Sequence, residues 1–303
     1  MGEQYLVSKE QIKAMVHEVL KEDKELEQRQ NGYMTDEEIY NELIMPVDTN
    51  IRLSQVILSD INKEAIRDFV MEMKNTGKLL RFGLKPMNRL LFYGASGCGK
   101  TFLGKALCNH LGYTMLYVDI ARALSQGNVA MNITNVFKIA NSGGNYMVFL
   151  DECDSIAWSR DSKDAEGGVV RRATNSLFQQ MDQMKPNVIV ICATNMLHRL
   201  DPAFARRFNM KLEFKRPEMS AKEVVQKFLH PEFQLILDKE DPITERRTKM
   251  SYYELQDVAE RMMKKAVLNN TTRIRMSDVY LDIARSMNIK TSLRNDINLG
   301  GDT

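Results

Sequence analysis

The stretch Gly94-Ala95-Ser96-Gly97-Cys98-Gly99-Lys100-Thr101 decides how the rest of the chain reads. Its spacing, G-x-x-x-x-G-K-[ST], is that of a phosphate-binding loop. Immediately before it, the apolar run Leu90-Leu91-Phe92-Tyr93 reads as a buried parallel strand. Immediately after it, Phe102, Leu103, Ala106 and Leu107 place apolar groups at helical spacing. Strand, glycine loop, then helix is the context the motif demands, and an ordinary glycine-rich turn does not need it. Glycines let the backbone wrap closely around phosphate oxygens, and the helix N-terminus adds favourable partial charge. Lys100 is expected to reach the β- and γ-phosphates of a nucleotide, and the Thr101 hydroxyl to bind Mg²⁺. Gly94, Ala95, Ser96, Gly97, Cys98, Gly99 and Phe102 complete the expected nucleotide-binding stretch.

Around this loop, strand-like and helix-like segments alternate. Strands are predicted at 89–93, 114–118, 146–150, 188–192 and 210–214, and helices at 100–110, 131–140, 168–183 and 202–207. Alternation of this kind argues for an α/β fold, a parallel sheet sandwiched by helices. A helix over about 60–75 precedes it, with Ile61, Ala65, Ile66, Phe69 and Val70 on one face. After Pro217 the strand runs stop. Two capping boxes, Ser220-Ala221-Lys222-Glu223 and Ser251-Tyr252-Tyr253-Glu254, open helices. The second helix carries Leu255, Val258, Ala259, Met262, Ala266 and Val267 at helical spacing, and a last one carries Val279, Leu281, Ile283 and Ala284. The expected organisation is therefore an N-terminal helical segment over 1–50, a nucleotide-binding αβα domain over 51–217, a small all-helical domain over 218–290 and a flexible tail over 291–303. Within the first segment, Ile12, Met15, Val16, Val19 and Leu20 form a stripe that suits either packing on its own domain or a partner. A short helix with Ile39 and Leu43 follows and ends near Pro46.

Composition narrows the function classes. The chain has 303 residues, enough for a sizeable core and about two domains. Apolar residues make up 44% and charged residues 27%, which is ordinary for a globular protein. The net charge of +2 gives no push toward nucleic acid or an anionic membrane. The four cysteines, Cys98, Cys108, Cys153 and Cys192, form no close pair, which argues against a zinc site or a disulfide framework and fits a reducing compartment. No run approaches the roughly 18 apolar residues of a membrane span. The expected setting is cytoplasmic, with no membrane partner.

A second motif supports the first. Met147-Val148-Phe149-Leu150-Asp151-Glu152 reads as a buried strand ending in two carboxylates. Ligands of open α/β sheets sit at the carboxyl ends of strands, so both acids are expected to face the loop. Asp151 suits Mg²⁺, and Glu152 suits polarising a water for attack on phosphorus. The second acid favours hydrolysis over transfer to a small acceptor, which disfavours a small-molecule kinase.

The run Val188-Ile189-Val190-Ile191-Cys192-Ala193-Thr194-Asn195, followed by Leu200-Asp201-Pro202-Ala203-Phe204-Ala205-Arg206-Arg207-Phe208, resembles the second region of homology of the AAA ATPases. The resemblance covers about residues 51–290, and its nearest flavour is a bacterial and phage-type subgroup with a compact Arg-Arg-Phe ending. It implies ATP and Mg²⁺ as cofactors and a homo-oligomeric ring, a hexamer. It also implies that the helical domain is the family's lid. Asn195 takes the place of the sensor that bonds the γ-phosphate or the attacking water. Arg206 and Arg207 take the place of paired arginine fingers that enter the neighbouring subunit's site. A surface pair bridging to acids is the plainer reading of those two arginines. Arg172 aligns with an interface arginine, and Ile57 and Leu58 with the adenine pocket, near Tyr252.

Two positions depart from the family's pattern. Ser125 stands where remodelling members carry a pore-loop aromatic, which places processive threading in question. Cys98 stands where Thr is common, as either an oxidisable thiol or a small filler. Trp158 reads as a packing residue. The leading expectation is an ATP-hydrolysing ring that remodels a protein or protein complex. The alternative is a DNA-directed machine of the clamp- or helicase-loader or transposition-regulator type, for which nucleic acid is not otherwise indicated.

Overall fold

The three most apolar runs of the chain become neighbours in one parallel sheet, because strands covered on both faces must be apolar on both. A computed structural model describes residues 44–125, 129–156, 165–237 and 249–299. Its large sheet comprises β1 (Ile44–Met45), β2 (Arg89–Gly94), β3 (Thr114–Asp119), β4 (Tyr146–Asp151), β5 (Ile189–Thr194) and β6 (Met210–Phe214), in the order β1-β3-β4-β5-β2-β6. β2 through β6 pair in parallel, and β1 is antiparallel to β3. All six residues of β5 are buried. After β2 the chain crosses to β3, returns through β4 and β5, and ends on the far side of β2 with β6. That reversal of direction leaves a crevice at the carboxyl end of β2, where the glycine loop begins.

The helices of this unit are α1 (Asp60–Lys74), α2 (Thr76–Arg81), α3 (Lys100–Leu111), α4 (Ile120–Ser125), α5 (Val129–Ala140), α6 (Ala165–Gln183) and α7 (Pro202–Ala205). Alternate residues of the strands face two apolar layers. On one side Leu116, Val118, Val148, Leu150, Val190 and Cys192 join Val136, Phe137, Leu177 and Phe204 from the helices. On the other side Phe92 lies edge-on to Phe149 at 6.5 Å and against Phe214 at 5.2 Å. α3 is drawn tightly onto that side: a Cβ on Gly104 would lie 2.5 Å from the Phe149 ring.

The chain divides into two compact units, Met1–Gly94 with Gly99–Phe214, and Ala95–Cys98 with Lys215–Thr303. The second holds α8 (Ala221–Phe228), α9 (Tyr252–Leu268) and α10 (Met276–Leu299), with a small parallel pair, β7 (Gln234–Ile236) and β8 (Arg273–Arg275). Both capping boxes read from sequence are present. Ser220 accepts from the Glu223 amide while Glu223 accepts from the Ser220 amide, and Ser251 and Glu254 exchange the same two bonds. Among the described residues no helix is long and apolar enough to cross a membrane.

The differences from the sequence reading have physical causes. Ile44–Met45 extends the sheet as an edge strand where a helix was expected to run toward Pro46; the rest of that helix and the stripe from Ile12 to Leu20 lie outside the described residues. α10 continues to Leu299, past the start of the tail expected at 291, and β7 and β8 interrupt a domain expected to be all helix. Ile61 is 80% exposed. The neighbouring Asn62 turns inward instead, because its Nδ2 donates to the Glu213 carbonyl at 2.9 Å and satisfies an oxygen at the sheet edge. Val267 and Leu281 are likewise exposed.

The inward asparagine gives a stability test. Asn62→Ala leaves the Glu213 oxygen without this donor and is expected to cost about 1–3 kcal/mol. Ile61→Ala is expected to stay within about 0.5 kcal/mol of wild type. Urea unfolding of the two variants checks the order, and equal losses would contradict it.

Candidate active site

The glycine turn is shaped by backbone that L side chains rarely adopt. Gly94, Gly97 and Gly99 have φ values of +135°, +71° and +97°. At Gly94 the requirement is also steric, since a Cβ there would lie 2.1 Å from the Phe214 carbonyl oxygen of β6. Ala95–Cys98, the apex of the turn, groups with the second unit. There the Tyr253 amide donates to the Gly97 carbonyl at 3.1 Å, and a Cβ on Gly97 would lie 2.7 Å from Ser251 Oγ. Cys98 is buried, its thiol directed at the Ser96 carbonyl at 3.8 Å.

Gly99 caps α3, so Lys100 and Thr101 stand in the first turn of a helix that points its N-terminus at the crevice. The Lys100 ammonium is buried and donates to the Gly94 carbonyl at 2.7 Å and to Asn195 Oδ1 at 2.8 Å. It thereby ties the start of the loop to the tip of β5. The Thr101 hydroxyl donates to Asp151 Oδ2 at 3.1 Å. Four of the residues singled out from sequence are thus joined in two pairs by direct hydrogen bonds, Lys100 with Asn195 and Thr101 with Asp151. Their elements are separated in the chain by crossovers and meet only at the sheet's carboxyl edge.

Glu152 departs from the strand in a left-handed conformation, φ 54° and ψ 39°. A non-glycine residue there carries a cost of roughly 1–2 kcal/mol, and such strain clusters at functional sites. The turn lets the Glu152 amide donate to Asp151 Oδ1 at 3.0 Å and leaves its carboxyl group exposed. Desolvation first, then the charges of Asp119, Asp151 and Asp154, push the Glu152 carboxyl above its ordinary range. The following turn, Cys153–Ser155, is tied to β5 by Thr194, whose hydroxyl donates to Asp154 at 2.7 Å and accepts from the Met196 amide at 2.9 Å. The strand carrying the acids and the strand carrying Asn195 are therefore linked beyond their ladder.

Two participants escaped the sequence reading. Tyr117 of β3 donates its hydroxyl to Asp151 Oδ2 at 2.8 Å. The Thr194–Asp154 link is the second. The available signal was a polar atom at a strand position otherwise reserved for apolar groups, which periodicity cannot assign to a partner.

The two arginines form a separate locus and differ from one another. Arg207 pairs with Asp182 of α6, and its guanidinium lies 4.9 Å from the centre of the Phe178 ring. Arg89 reaches the other oxygen of Asp182 at 3.6 Å. Arg206 is exposed, and its guanidinium has no partner among the described residues. No bond joins either arginine to Lys100, Asp151 or Asn195 among those residues. Arg172 is exposed on α6. Ile57 and Leu58 are half-buried in an extended segment of the first unit, and Tyr252 belongs to the second. The Ser125 side chain and Trp158 lie outside what is described.

The donor chemistry fits a nucleotide with a hard cation. A hydroxyl and a carboxylate are oxygen ligands of the kind Mg²⁺ takes. A buried ammonium beside a glycine turn and a helix N-terminus suits phosphate oxygens.

Comparison with known proteins agrees. Residues 90–216 match the family described as AAA, ATPase family associated with various cellular activities. Over 229 residues the chain is 30% identical to an uncharacterised AAA family ATPase, y4kL, of Sinorhizobium fredii (strain NBRC 101917 / NGR234), spanning 74% of this chain and 68% of that protein. Over 174 residues it is 34% identical to a 26S proteasome regulatory subunit 6B homolog of Encephalitozoon cuniculi (strain GB-M1), spanning 55% of this chain and 45% of that protein.

Lys100→Ala removes the ammonium that closes the turn. Its affinity for a fluorescent ATP analogue is expected to fall by roughly 10- to 100-fold. Unchanged affinity would take Lys100 out of the phosphate site.

Proposed function

Since the chain belongs to the AAA ATPase family and hydrolyses ATP with Mg²⁺, we propose that it does so as a ring of identical subunits, a hexamer, that remodels a protein or protein complex. One observation carries the ring. Neither Arg206 nor Arg207 is bonded to Lys100, Thr101, Asp151 or Asn195 among the described residues, and Arg206 is exposed with no partner among them. A phosphoryl-transfer site lacking its own cationic finger is completed when another copy supplies one, and such a finger is worth about 10³–10⁵ in rate.

In this reading the turn from Gly94 to Phe102 and the Lys100 ammonium hold the phosphates, and Ile57 and Leu58 line the base. Thr101 and Asp151 hold the Mg²⁺, which supplies Lewis-acid polarisation of the phosphate oxygens when bound. Glu152 accepts a proton from the attacking water, and its exposed carboxyl at a strained turn suits that task. Asn195, anchored through its carbonyl by Lys100, keeps its amide for the γ-phosphate or that water. Arg206 is the arginine free to extend to the next subunit. Arg207 braces it through Asp182 and Phe178 and joins the charge only on release from that pair. The relative named as a proteasome regulatory subunit supports a protein rather than a nucleic acid as client.

Glu152→Gln is expected to bind ATP and lose turnover by at least about 100-fold, the scale of a general base; normal hydrolysis would place the base elsewhere. Arg206→Ala is expected to bind ATP normally and lose turnover. Mixing it with Lys100→Ala subunits should restore part of the activity, because one copy brings an intact nucleotide site and the other an intact finger. No recovery at any mixing ratio would contradict sharing between subunits.

A further inference from the structure

We propose that Tyr117 is a positioning residue that fixes the Asp151 carboxylate for its metal ion, through a hydroxyl that reaches it along the sheet. This rests on the reading of Asp151 as the residue that holds Mg²⁺.

The register of the sheet explains the reach. Tyr117 pairs with Phe149, and two residues on, Asp119 pairs with Asp151. Residues two apart on a strand share a face, so Tyr117 lies on the same side as Phe149 and Asp151. The Tyr117 ring lies flat on the Phe149 ring, with centroids 5.6 Å apart and 8° between planes. Two residues of strand advance about 6.6 Å, a gap that a tyrosine lying along the sheet spans and a serine or threonine at the same place does not. The hydroxyl arrives 2.8 Å from Asp151 Oδ2.

The carboxylate is then fully tethered. Oδ2 accepts from Tyr117 and from Thr101, and Oδ1 accepts from the Glu152 amide. An ionised carboxylate offers about four lone-pair sites. Three are taken by β3, α3 and the carboxylate's own backbone turn, which leaves one on Oδ1 with a set direction for the cation or its water. Thr101 is itself expected to coordinate the metal, so Tyr117 is the tether on Oδ2 that does not depend on metal occupancy.

Tyr117→Phe keeps the ring and its stack and removes only the hydroxyl. The probe is Mn²⁺, with affinity measured by electron paramagnetic resonance on the full chain in the presence of a non-hydrolysable ATP analogue. The variant is expected to bind Mn²⁺ roughly tenfold more weakly, the scale of lost second-layer contacts to metal ligands. Its affinity for the analogue without metal is expected to be unchanged, which a merely structural role for the hydroxyl does not separate. Mn²⁺ affinity within twofold of wild type overturns the role of Tyr117 and leaves Asp151 as assigned. Failure of the wild-type chain to bind Mn²⁺ with the analogue overturns the assignment of Asp151 and this inference together.

Discussion

The Lys100 ammonium is the contact on which the site depends. It is buried in the first turn of α3 and reaches back to the carbonyl of Gly94 and across to the side chain of Asn195. A buried cation is costly unless oxygen atoms surround it. Meeting that requirement ties Gly94 at the end of β2 and Asn195 beyond the tip of β5 to the first turn of α3. The sheet order makes this possible, because β2 lies directly beside β5. A chain with the same motif and another strand order would present Lys100 to a different neighbour.

The opposite charge gathers one strand away. Asp119 and Asp151 are partners across β3 and β4, and Glu152 and Asp154 follow directly. Four carboxylates at one edge repel, and this repulsion adds to desolvation in raising the Glu152 carboxyl. Hydrogen bonds from Tyr117, Thr101 and the Glu152 amide to Asp151, and from Thr194 to Asp154, offset part of that repulsion and fix where those two acids point. A divalent cation would offset more, so the proposed metal site would also gain from the metal's presence. Lys100 on one side and the acids on the other divide the site into a part that suits phosphate and a part that suits the cation.

What the sequence made legible was whatever depends on neighbours in the chain. The glycine turn, the apolar strands and the capping boxes at Ser220 and Ser251 are local devices, and each appears where its residues stand. The carboxyl-edge grouping of Lys100, Asp151 and Asn195 was legible through the general rule for parallel sheets. Contacts set by distant elements were not. Asn62 displaces Ile61 from the interior because of an oxygen on β6, and Arg207 is drawn to Asp182 through packing around Phe178. Ile44 and Met45 are too few to show a strand period, and so are the three-residue strands β7 and β8. Tyr117 reads as one more residue of an apolar strand until its register against Asp151 is known.

In the proposed assembly, one copy's nucleotide site becomes competent only beside another copy. Turnover per chain, measured across a wide range of protein concentration at saturating Mg·ATP with the mass distribution recorded in parallel, tests it most directly. Turnover per chain is expected to rise steeply as monomers give way to a closed assembly, and the two curves are expected to coincide. Turnover per chain that is already maximal for monomers and independent of concentration would contradict it.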